Sequence, residues 1–333
     1  VQSLVDATGG SFVQTTVDGP LGDRVEATWG MLGDGTTAVI EMAEASGIGL
    51  VTAAERDPRR ASTRGTGQLI AAALDRGAET ILVGIGGSAT NDGGAGMAQA
   101  LGARLLDADG KELEPGGAAL ARLERIDLSG LDERLARSSF VVACDVTNPL
   151  CGPDGASAVY GPQKGADAEC VAELDQALAH WGSLLEQDFG AGIVERPGAG
   201  AAGGLGAGLV AFCGAELRRG VEIVIEHSGL AEAVQGASLV VTGEGRMDSQ
   251  TRFGKTPKGV ADVAVAAGVP VVAVCGSLGS GIETLYDEGF DAIFPVIGRL
   301  SSLDEALAEA GENVERTARA VAATLRLGTQ ALS

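Results

Sequence analysis

The sequence predicts an α/β fold with mainly parallel sheets, and three observations support this prediction. Apolar runs without polar alternation recur along the chain, as in strands that are covered on both faces. Helical patterns separate these runs, so strands and helices alternate. Of the 333 residues 45% are hydrophobic but only 3% aromatic, which indicates a large aliphatic core. This length accommodates two domains of ordinary size.

The first half of the sequence predicts a series of helices and strands. A helix opens the sequence, and the segment 62–78 has the cap residues, apolar stripe and glycine stop of another helix. Buried strands are indicated where apolar residues run without interruption. In order, we expect a helix at 1–8, strands at 37–47 and 79–87, helices at 62–78 and 95–103, a short strand or hairpin at 103–113, a strand at 139–146 and a long amphipathic helix at 168–189.

The second half repeats the pattern. A glycine-rich loop that runs into a helix is predicted at 197–212, followed by a strand that ends in glycine and acid. The remaining segments alternate in the same way. We expect strands at 237–248, 269–277 and 290–298, and helices at 256–268 and 304–332.

Composition and charge exclude several classes of protein. The formal net charge of −21 argues against nucleic acid as a partner, because phosphate binding needs a basic surface. The five scattered cysteines lack C-x-x-C spacing, which favours free thiols in a cytoplasmic protein over a zinc site. Two histidines leave little scope for histidine-based catalysis. No apolar run reaches about 18 residues, so we expect no membrane partner.

Glycine occurs with an acid or an amide at the ends of four predicted strands. These segments are "GIGGSATND" (84–92), "CDVTN" (144–148), "TGEGRMD" (242–248) and "CGSLGS" (275–280). In open parallel sheets the ligand lies at the carboxyl ends of the strands. The four segments are therefore the predicted site.

One interpretation of the first segment is a dinucleotide loop. Gly84, Gly86 and Ala89 satisfy the G-x-G-x-x-G/A spacing, and Asp107 follows at about the distance of the ribose-binding acid. Three further glycines and Asn91-Asp92 delay the helix, however, and an acid at a helix mouth repels a pyrophosphate. An NAD(P)-dependent dehydrogenase stays open as an alternative. A Walker A site at 254–256 is excluded because Ser249 stands where glycine is required.

A phosphotransferase fits the combination better. Backbone N–H groups of glycine-rich loops hold phosphates, and carboxylates hold Mg²⁺ or accept the substrate proton, because phosphoryl transfer depends on positioning and charge neutralisation. The carboxylates at predicted strand ends are Asp92, Asp145, Glu244 and Asp248. The nearby cations are Arg64, Lys164, Arg246 and Lys255.

The long motifs resemble those of bacterial type I glycerate kinases, in the same order and over essentially the whole chain. They are "STRGTG", "GIGGSATNDGGAGMAQALGA", "ACDVTNPLCGPDGAS", "YGPQKGA", "PGAGAAGGLGAGL", "VVTGEGRMDSQT" and "GKTPKGVA". The resemblance implies ATP-dependent phosphorylation of D-glycerate in the cytoplasm, with Mg²⁺ as cofactor. It implies 2-phosphoglycerate as the product in preference to 3-phosphoglycerate.

The resemblance also implies a domain organisation. Residues 1–10 and 237–333 would form a discontinuous Rossmann-like α/β domain, residues 11–236 an inserted α/β domain, and the active site would lie in the cleft between them. Family members carry an A-P-D-S-F-K-like segment and an A-D-G-G-E-G-T-like turn before the first helix, and this chain starts at Val1 without them. We therefore expect a missing first strand, and a truncated, non-catalytic remnant is a further alternative.

The implied chemistry assigns roles to individual residues. Asp145 is expected to accept the proton or bind the metal, Arg64 to pair with the glycerate carboxylate, and Lys255 to offset phosphate charge. The expected Mg²⁺ ligands are Asp92, Glu244 and Asp248. The expected substrate and phosphate contacts are Gly86, Gly87, Ser88, Asn91, Asp92, Asn148, Gly203, Gly204 and Gly245. The expected partners are D-glycerate and ATP, with a homodimer as one candidate assembly.

Overall fold

The computed structural model describes residues 1–332 and divides into two compact units. The first unit comprises residues 1–220 and the second begins at residue 221. Residues 1–10 belong to the first unit, because the side chains of Val1 and Val5 fill the space beside Gly30. This division differs from the expected one, in which residues 1–10 join 237–333. The discontinuous organisation implied by the family resemblance stays a prediction.

A six-stranded mixed sheet forms the centre of the first unit. Its order is β1-β2-β3-β4-β7-β8; the pairs β1/β2 and β2/β3 are antiparallel, and the pairs from β3 to β8 are parallel. A separate antiparallel ribbon consists of β5 and β6. The strands are β1 (Ser11–Asp18), β2 (Arg24–Met31), β3 (Thr37–Glu41), β4 (Thr80–Gly84), β5 (Arg104–Leu106), β6 (Arg125–Asp127), β7 (Ser139–Ala143) and β8 (Glu216–Arg218).

Helices pack around this sheet over an aliphatic core. Helix α6 buries Leu174, Leu178, Trp181 and Leu185, whose spacing places them on one face of the helix. The helices are α1 (Gln2–Thr8), α2 (Ala43–Ser46), α3 (Arg64–Asp75), α4 (Ala95–Ala100), α5 (Ala156–Tyr160), α6 (Ala168–Phe189) and α7 (Ala201–Cys213), with α8 (Gly220–His227) starting at the end of the unit. Helix α7 packs against α4, α5 and β7, which brings its glycine-rich start to the loops that follow the strands.

The second unit contains a three-stranded parallel sheet in the order β13-β11-β9 and a short parallel pair, β10 and β12. Met247, Val271, Ala273, Leu285 and Phe290 are buried in its core. Its elements are α9 (Leu230–Val234), β9 (Val240–Thr242), β10 (Arg246–Met247), α10 (Thr256–Ala266), β11 (Val271–Cys275), β12 (Ser277–Leu278), β13 (Ala292–Pro295), α11 (Leu303–Ala308) and α12 (Ala310–Leu332).

The alternation of strands and helices confirms the predicted α/β class with mainly parallel sheets. Helix α6 has the predicted bounds, whereas the antiparallel pair β1/β2 is absent from the sequence-based prediction. None of the helices within residues 1–332 combines the length and hydrophobicity needed to span a bilayer.

Candidate active site

The site in the first unit lies where three neighbouring parallel strands end. Glu41, Gly84 and Ala143 are paired across β3, β4 and β7, so the loops that follow these strands start at one edge of the sheet. Ligands of open α/β sheets bind at this edge. The loop after β4 contains the first glycine-rich motif, and the loop after β7 contains Asp145.

A pocket of about 280 Å³ opens between these loops. Its lining includes Gly86, Gly87, Ser88, Asp145, Lys164 and Ala202. Four of the residues predicted from sequence, Gly86, Gly87, Ser88 and Asp145, therefore share one pocket. Its size suits a small molecule rather than a macromolecule.

The backbone of the glycine loop presents donors to this pocket. The carbonyl oxygens of Gly84 and Gly87 accept hydrogen bonds from the N–H groups of Met42 (2.9 Å) and Ile48 (2.8 Å). The amides of Gly86 and Gly87 donate to no acceptor within residues 1–332. Gly87 has a φ of +73°, and a Cβ at Gly86 would meet no atom within 4 Å. Unpaired amides in such a loop form an anion-binding concavity.

Lys164 supplies a buried cation to the same pocket. It ends the short 3₁₀ helix Pro162–Lys164 and is only 2% exposed. Its Nζ donates to Ser88 Oγ and to the Thr90 carbonyl oxygen, each at 2.6 Å. Burial lowers the pKa of Lys164 to about 7, and the nearby charge of Asp92 opposes this shift. An anion in the pocket would therefore stabilise the charged form of the lysine.

Asp145 is the carboxylate of this pocket. Its side chain is exposed, and its Oδ1 accepts a hydrogen bond of 3.0 Å from the Gly220 N–H. Its Oδ2 accepts none from the described residues. One oxygen is thus fixed, and the other is available to a hydroxyl group of a ligand. Asp145 lines this pocket, and its role toward a ligand stays a prediction.

Asp92 is completely buried, away from the pocket lining. Its Oδ2 accepts from Thr63 N–H (2.8 Å), Thr63 Oγ1 (3.0 Å) and Gly96 N–H (3.2 Å), and its Oδ1 from Gly94 N–H (3.2 Å). Burial raises its pKa, and these hydrogen bonds oppose the shift. The carboxylate therefore joins the starts of α3 and α4, and its predicted role as a Mg²⁺ ligand or substrate contact finds no support in this geometry.

Gly203 and Gly204 approach the protein chain rather than a ligand. A Cβ on Gly203 would lie 2.0 Å from the Thr90 carbonyl oxygen, and one on Gly204 would lie 2.8 Å from Gly93 Cα. The N–H of Gly93 also donates to the Gly203 carbonyl oxygen at 2.9 Å. These glycines, predicted to contact phosphate, instead allow helix α7 to pack against the loop 90–93.

The two predicted amide residues have structural partners. The Asn91 Nδ2 donates to Ser157 Oγ at 2.9 Å inside the protein. The Asn148 Oδ1 accepts from the Tyr160 hydroxyl at 2.6 Å, and its Nδ2 donates to the Asp154 carbonyl oxygen at 2.7 Å. Tyr160 lines the pocket, so Asn148 orients a pocket residue, whereas Asn91 fixes the loop from within.

Arg64 lies in a different cleft. Its Nε is 3.3 Å from Asp18 Oδ2, and both residues line a separate cavity of about 480 Å³ with Ser62 and Glu114. This position separates Arg64 from the pocket that contains Asp145 and Lys164. The expectation that Arg64 pairs with the substrate carboxylate beside Asp145 is not supported, because Asp18 occupies its guanidinium.

The second unit brings three predicted residues together. Lys255 Nζ lies 3.8 Å from Glu244 Oε2 and 4.0 Å from Asp248 Oδ1. Thr251 Oγ1 donates to Glu244 Oε1 at 2.6 Å and accepts from the Asp248 N–H at 3.2 Å. A Cβ at Gly245, between these acids in sequence, would meet no atom within 4 Å. A lysine, two carboxylates and open backbone thus form one cluster.

This cluster suits a metal that arrives with phosphates. Within the described part of the chain, no three His, Cys, Asp or Glu residues come together to hold a metal ion. Mg²⁺ is usually bound through one or two carboxylates together with substrate phosphates. Glu244 and Asp248 therefore fit a Mg²⁺–nucleotide complex, and the three-acid set with Asp92 does not form.

The dinucleotide interpretation conflicts with the topology. The Asp107 Oδ1 accepts from the N–H groups of Asp109 (3.0 Å) and Lys111 (2.9 Å) and so closes a turn. It follows β5, which pairs with β6 instead of β4. A ribose-binding acid has to follow a strand beside the glycine loop, so Asp107 is misplaced for this role.

The sequence places Lys164 among the cations near the predicted site but indicates no role for it. Its signal was the motif "YGPQKGA", in which proline starts the 3₁₀ helix and Gly165, with a φ of +97°, ends it. Tyr160 and Ala202, which also line the pocket, carried no chemical signal in the sequence. Ala202 has a φ of +53°, an unusual conformation for a residue with a side chain.

Comparisons with known proteins show which family and which solved structure this chain resembles. The model of the "Glycerate kinase family" matches residues 1–326. The glycerate kinase of Bacillus subtilis (strain 168) is 54% identical over 327 residues, 98% of this chain and 86% of that protein. The glycerate 2-kinase of Escherichia coli (strain K12) is 51% identical over 328 residues, with the same coverage of 98% and 86%. A crystal structure from Salmonella typhimurium LT2, of a protein thought to be glycerate kinase 2, superimposes with a TM-score of 0.88 at 53% identity and covers 99% of this chain and 86% of that one.

Proposed function

Since this chain belongs to the glycerate kinase family, we propose that it transfers the γ-phosphoryl group of ATP to a hydroxyl group of D-glycerate. It is a phosphotransferase, as its relatives' names state. The observation that carries the proposal is the pocket of about 280 Å³ in which two free amides and Lys164 face the same space as Asp145. A cation with a carboxylate suits a small hydroxy acid. The E. coli relative's name supports 2-phosphoglycerate as the product.

Asp145 is the proposed proton acceptor. Its Oδ1 is held by the Gly220 amide, so Oδ2 can accept a hydrogen bond from the attacking hydroxyl and take its proton as the oxygen–phosphorus bond forms. In the same step the bond between the γ-phosphorus and the oxygen that bridges it to ADP breaks, and ADP leaves with the bonding electron pair. Phosphoryl transfer needs mainly this positioning and electrostatic stabilisation from the protein.

The second unit supplies the proposed nucleotide contacts. Glu244 and Asp248 would hold Mg²⁺ together with the phosphates of ATP, and Lys255 would offset phosphate charge. When bound, Mg²⁺ would neutralise the negative charge on the transferred phosphoryl group. Gly245 leaves open space beside the carboxylates.

Product analysis tests the proposed reaction directly. ADP release should require both D-glycerate and Mg²⁺, and phosphorus NMR of the product should show phosphate on carbon 2. Phosphate on carbon 3 would contradict the proposed position, and absence of glycerate-dependent ADP release would contradict the reaction.

The substitution Asp145→Asn tests the assigned acceptor. Loss of the base should lower kcat by about 10²- to 10⁴-fold, with little change in thermal stability because the side chain is exposed. Asp109→Asn, an exposed carboxylate in the turn after β5, is the matched control. Turnover within a few-fold of wild type would remove Asp145 from the chemistry.

All five cysteines are free thiols, which supports the proposed cytoplasmic location. The homodimer stays a prediction, which light scattering of the purified protein tests.

A further inference from the structure

We propose that Lys164 and Ser88, with the amides of Gly86 and Gly87, form the subsite that recognises the substrate's carboxylate and makes the enzyme selective for an acid. The inference rests on the proposed function and deepens it, because it assigns the end of the substrate that is not phosphorylated. In this assignment the carboxylate lies toward Lys164 and the reacting hydroxyl toward Asp145.

The direction of the hydrogen bond from Lys164 makes Ser88 a donor to the pocket. In the charged form that an anionic ligand stabilises, Lys164 Nζ has donors only, so Ser88 Oγ accepts the bond of 2.6 Å from it. The hydroxyl keeps its own proton, and Ser88 makes no other side-chain hydrogen bond within residues 1–332. Lys164 thereby makes Ser88 a donor toward the pocket. The hydroxyl and the amides of Gly86 and Gly87 then present three N–H and O–H groups of one polarity.

The buried charge of Lys164 favours an anionic ligand. Its Nζ contacts two neutral oxygens, those of Ser88 and Thr90, although the side chain is only 2% exposed. Asp92 acts on it electrostatically, but four hydrogen bonds already hold that carboxylate. A buried cation without a carboxylate in contact gains much from an anionic ligand. The subsite therefore favours a negative charge over a neutral group of the same shape.

Asp145 limits the pocket to anions with a single charged end. It lies on the same pocket of about 280 Å³, so a ligand with negative charge at both ends would be repelled at the Asp145 end. A hydroxy acid places its single charge at Lys164 and its hydroxyl at the carboxylate. Arg64, the alternative recognition group, is paired with Asp18 in another cavity.

Two substrates of similar size, one charged and one neutral, test the assignment. D-Glycerate carries the carboxylate, and D-glyceramide has an uncharged amide of similar size. The wild-type enzyme should prefer D-glycerate by kcat/KM. The substitution Lys164→Met should lower kcat/KM for D-glycerate by about 10²- to 10³-fold, as for loss of one partner of a buried charge pair. It should change kcat/KM for D-glyceramide by less than about 3-fold, because the neutral amide forms no charge pair with Lys164 that the substitution could remove.

Ser88→Ala is the second variant, because it leaves the lysine in place if Lys164→Met fails to fold. It should raise KM for D-glycerate by about 10-fold, the cost of one hydrogen bond to a charged group, and leave kcat within a few-fold. Lys111→Met and Ser129→Ala change exposed residues and serve as controls. Thermal melts establish that each variant is folded.

Isothermal titration of D-glycerate at pH 8, in two buffers of different ionisation enthalpy, gives a readout besides activity. Burial lowers the pKa of Lys164 to about 7, so binding of the anion should draw a proton onto it. The other titratable groups that line this pocket are Asp145 and Cys144 from the loop after β7 and Tyr160 from α5. Asp92, from the loop before α4, lies outside the lining and acts on Lys164 only electrostatically. Proton uptake by wild type that is lost in Lys164→Met supports the assignment.

Three outcomes would overturn the assignment. They are an equal loss of kcat/KM for both substrates, unchanged selectivity in Lys164→Met and Ser88→Ala, or equal proton uptake by wild type and Lys164→Met. Failure of the proposed function is distinguishable, because in that case wild type itself would release no ADP with D-glycerate.

Discussion

The substitution Gly203→Ala tests whether helix α7 fixes the loop that carries the active-site donors. The new methyl group would lie 2.0 Å from the Thr90 carbonyl oxygen and 2.6 Å from Asn91 Cα, both backbone atoms. A left-handed conformation costs alanine about 1–2 kcal/mol, and overpacking adds about 1–3 kcal/mol. We therefore expect the free energy of unfolding to fall by about 2–5 kcal/mol, which corresponds to a decrease in Tm of about 4–20 °C for a unit of this size.

Gly214→Ala is the matched control for this variant. Gly214 ends the same helix with a φ of +61°, and a Cβ there would meet no atom within 4 Å. Its substitution should cost only the conformational term of about 1–2 kcal/mol. Urea unfolding of both variants separates the steric term from the conformational one.

Activity gives the second readout of the same pair. The Thr90 carbonyl oxygen accepts a hydrogen bond from Lys164, so displacement of the loop should lower kcat/KM in Gly203→Ala even at a temperature where it is folded. Gly214→Ala should keep wild-type activity at that temperature. Equal stability and equal activity of the two variants would refute the reasoning, because the loop would then move away from the methyl group at no cost.

Three further predictions follow from buried and exposed charges and from one buried hydrogen bond. The pKa of Lys164 is lowered to about 7 in the folded protein, so above pH 7 the unfolded chain binds more protons at this residue than the folded protein does. The free energy of unfolding of wild type relative to Lys164→Met should therefore rise from pH 7 to 9, by at most about 1.4 kcal/mol per pH unit. A difference in unfolding free energy between the two proteins that stays constant over this pH range in urea titrations would contradict this. Lys255→Ala should change stability by less than about 0.5 kcal/mol, because its ion pairs are partly exposed, but should raise KM for ATP; an unchanged KM would exclude Lys255 from nucleotide binding. Trp181→Phe removes the hydrogen bond of 3.0 Å to the Gly93 carbonyl oxygen and should lower the free energy of unfolding by about 1–3 kcal/mol; a urea midpoint equal to that of wild type would show that water replaces the indole.

Helices and strands with a clear pattern of buried apolar residues could be predicted from the sequence. Residues 81–83 of β4 are apolar and buried without alternation, as in a strand covered on both faces. Helix α6 repeats large apolar residues at helical spacing. The hairpin of β1 and β2 was missed because its two strands are rich in Thr and in exposed polar residues, and only Val13 and Val17 of β1 are buried. Its antiparallel pairing depends on contacts between strands that no local pattern contains.

Only part of the candidate site could be predicted, because the surroundings of a residue depend on packing as strand pairing does. A glycine-rich motif indicates close approach to the backbone, but the glycine itself does not identify the approaching group. At Gly86 and Gly87 the space is open to the pocket, whereas at Gly93 the approaching group is the Trp181 ring and at Gly203 it is the backbone of Thr90. The sequence likewise does not reveal the surroundings of Asp92, since complete burial and four hydrogen-bond donors are properties of the packed structure alone.

The positions of these charges explain how an acidic chain can bind an acid. With a net charge of −21 the surface repels anions at long range, but salt limits this repulsion to about 8 Å at physiological ionic strength. Lys164 is shielded from solvent, so salt screens its attraction for a ligand in the pocket much less. Asp92 raises the pKa of Lys164 electrostatically. Burial raises the pKa of Asp92 itself, and its hydrogen bonds from Thr63, Gly94 and Gly96 oppose that shift. The structure therefore accounts for this buried carboxylate by its effect on the lysine of the proposed anion subsite, whose proton affinity it raises.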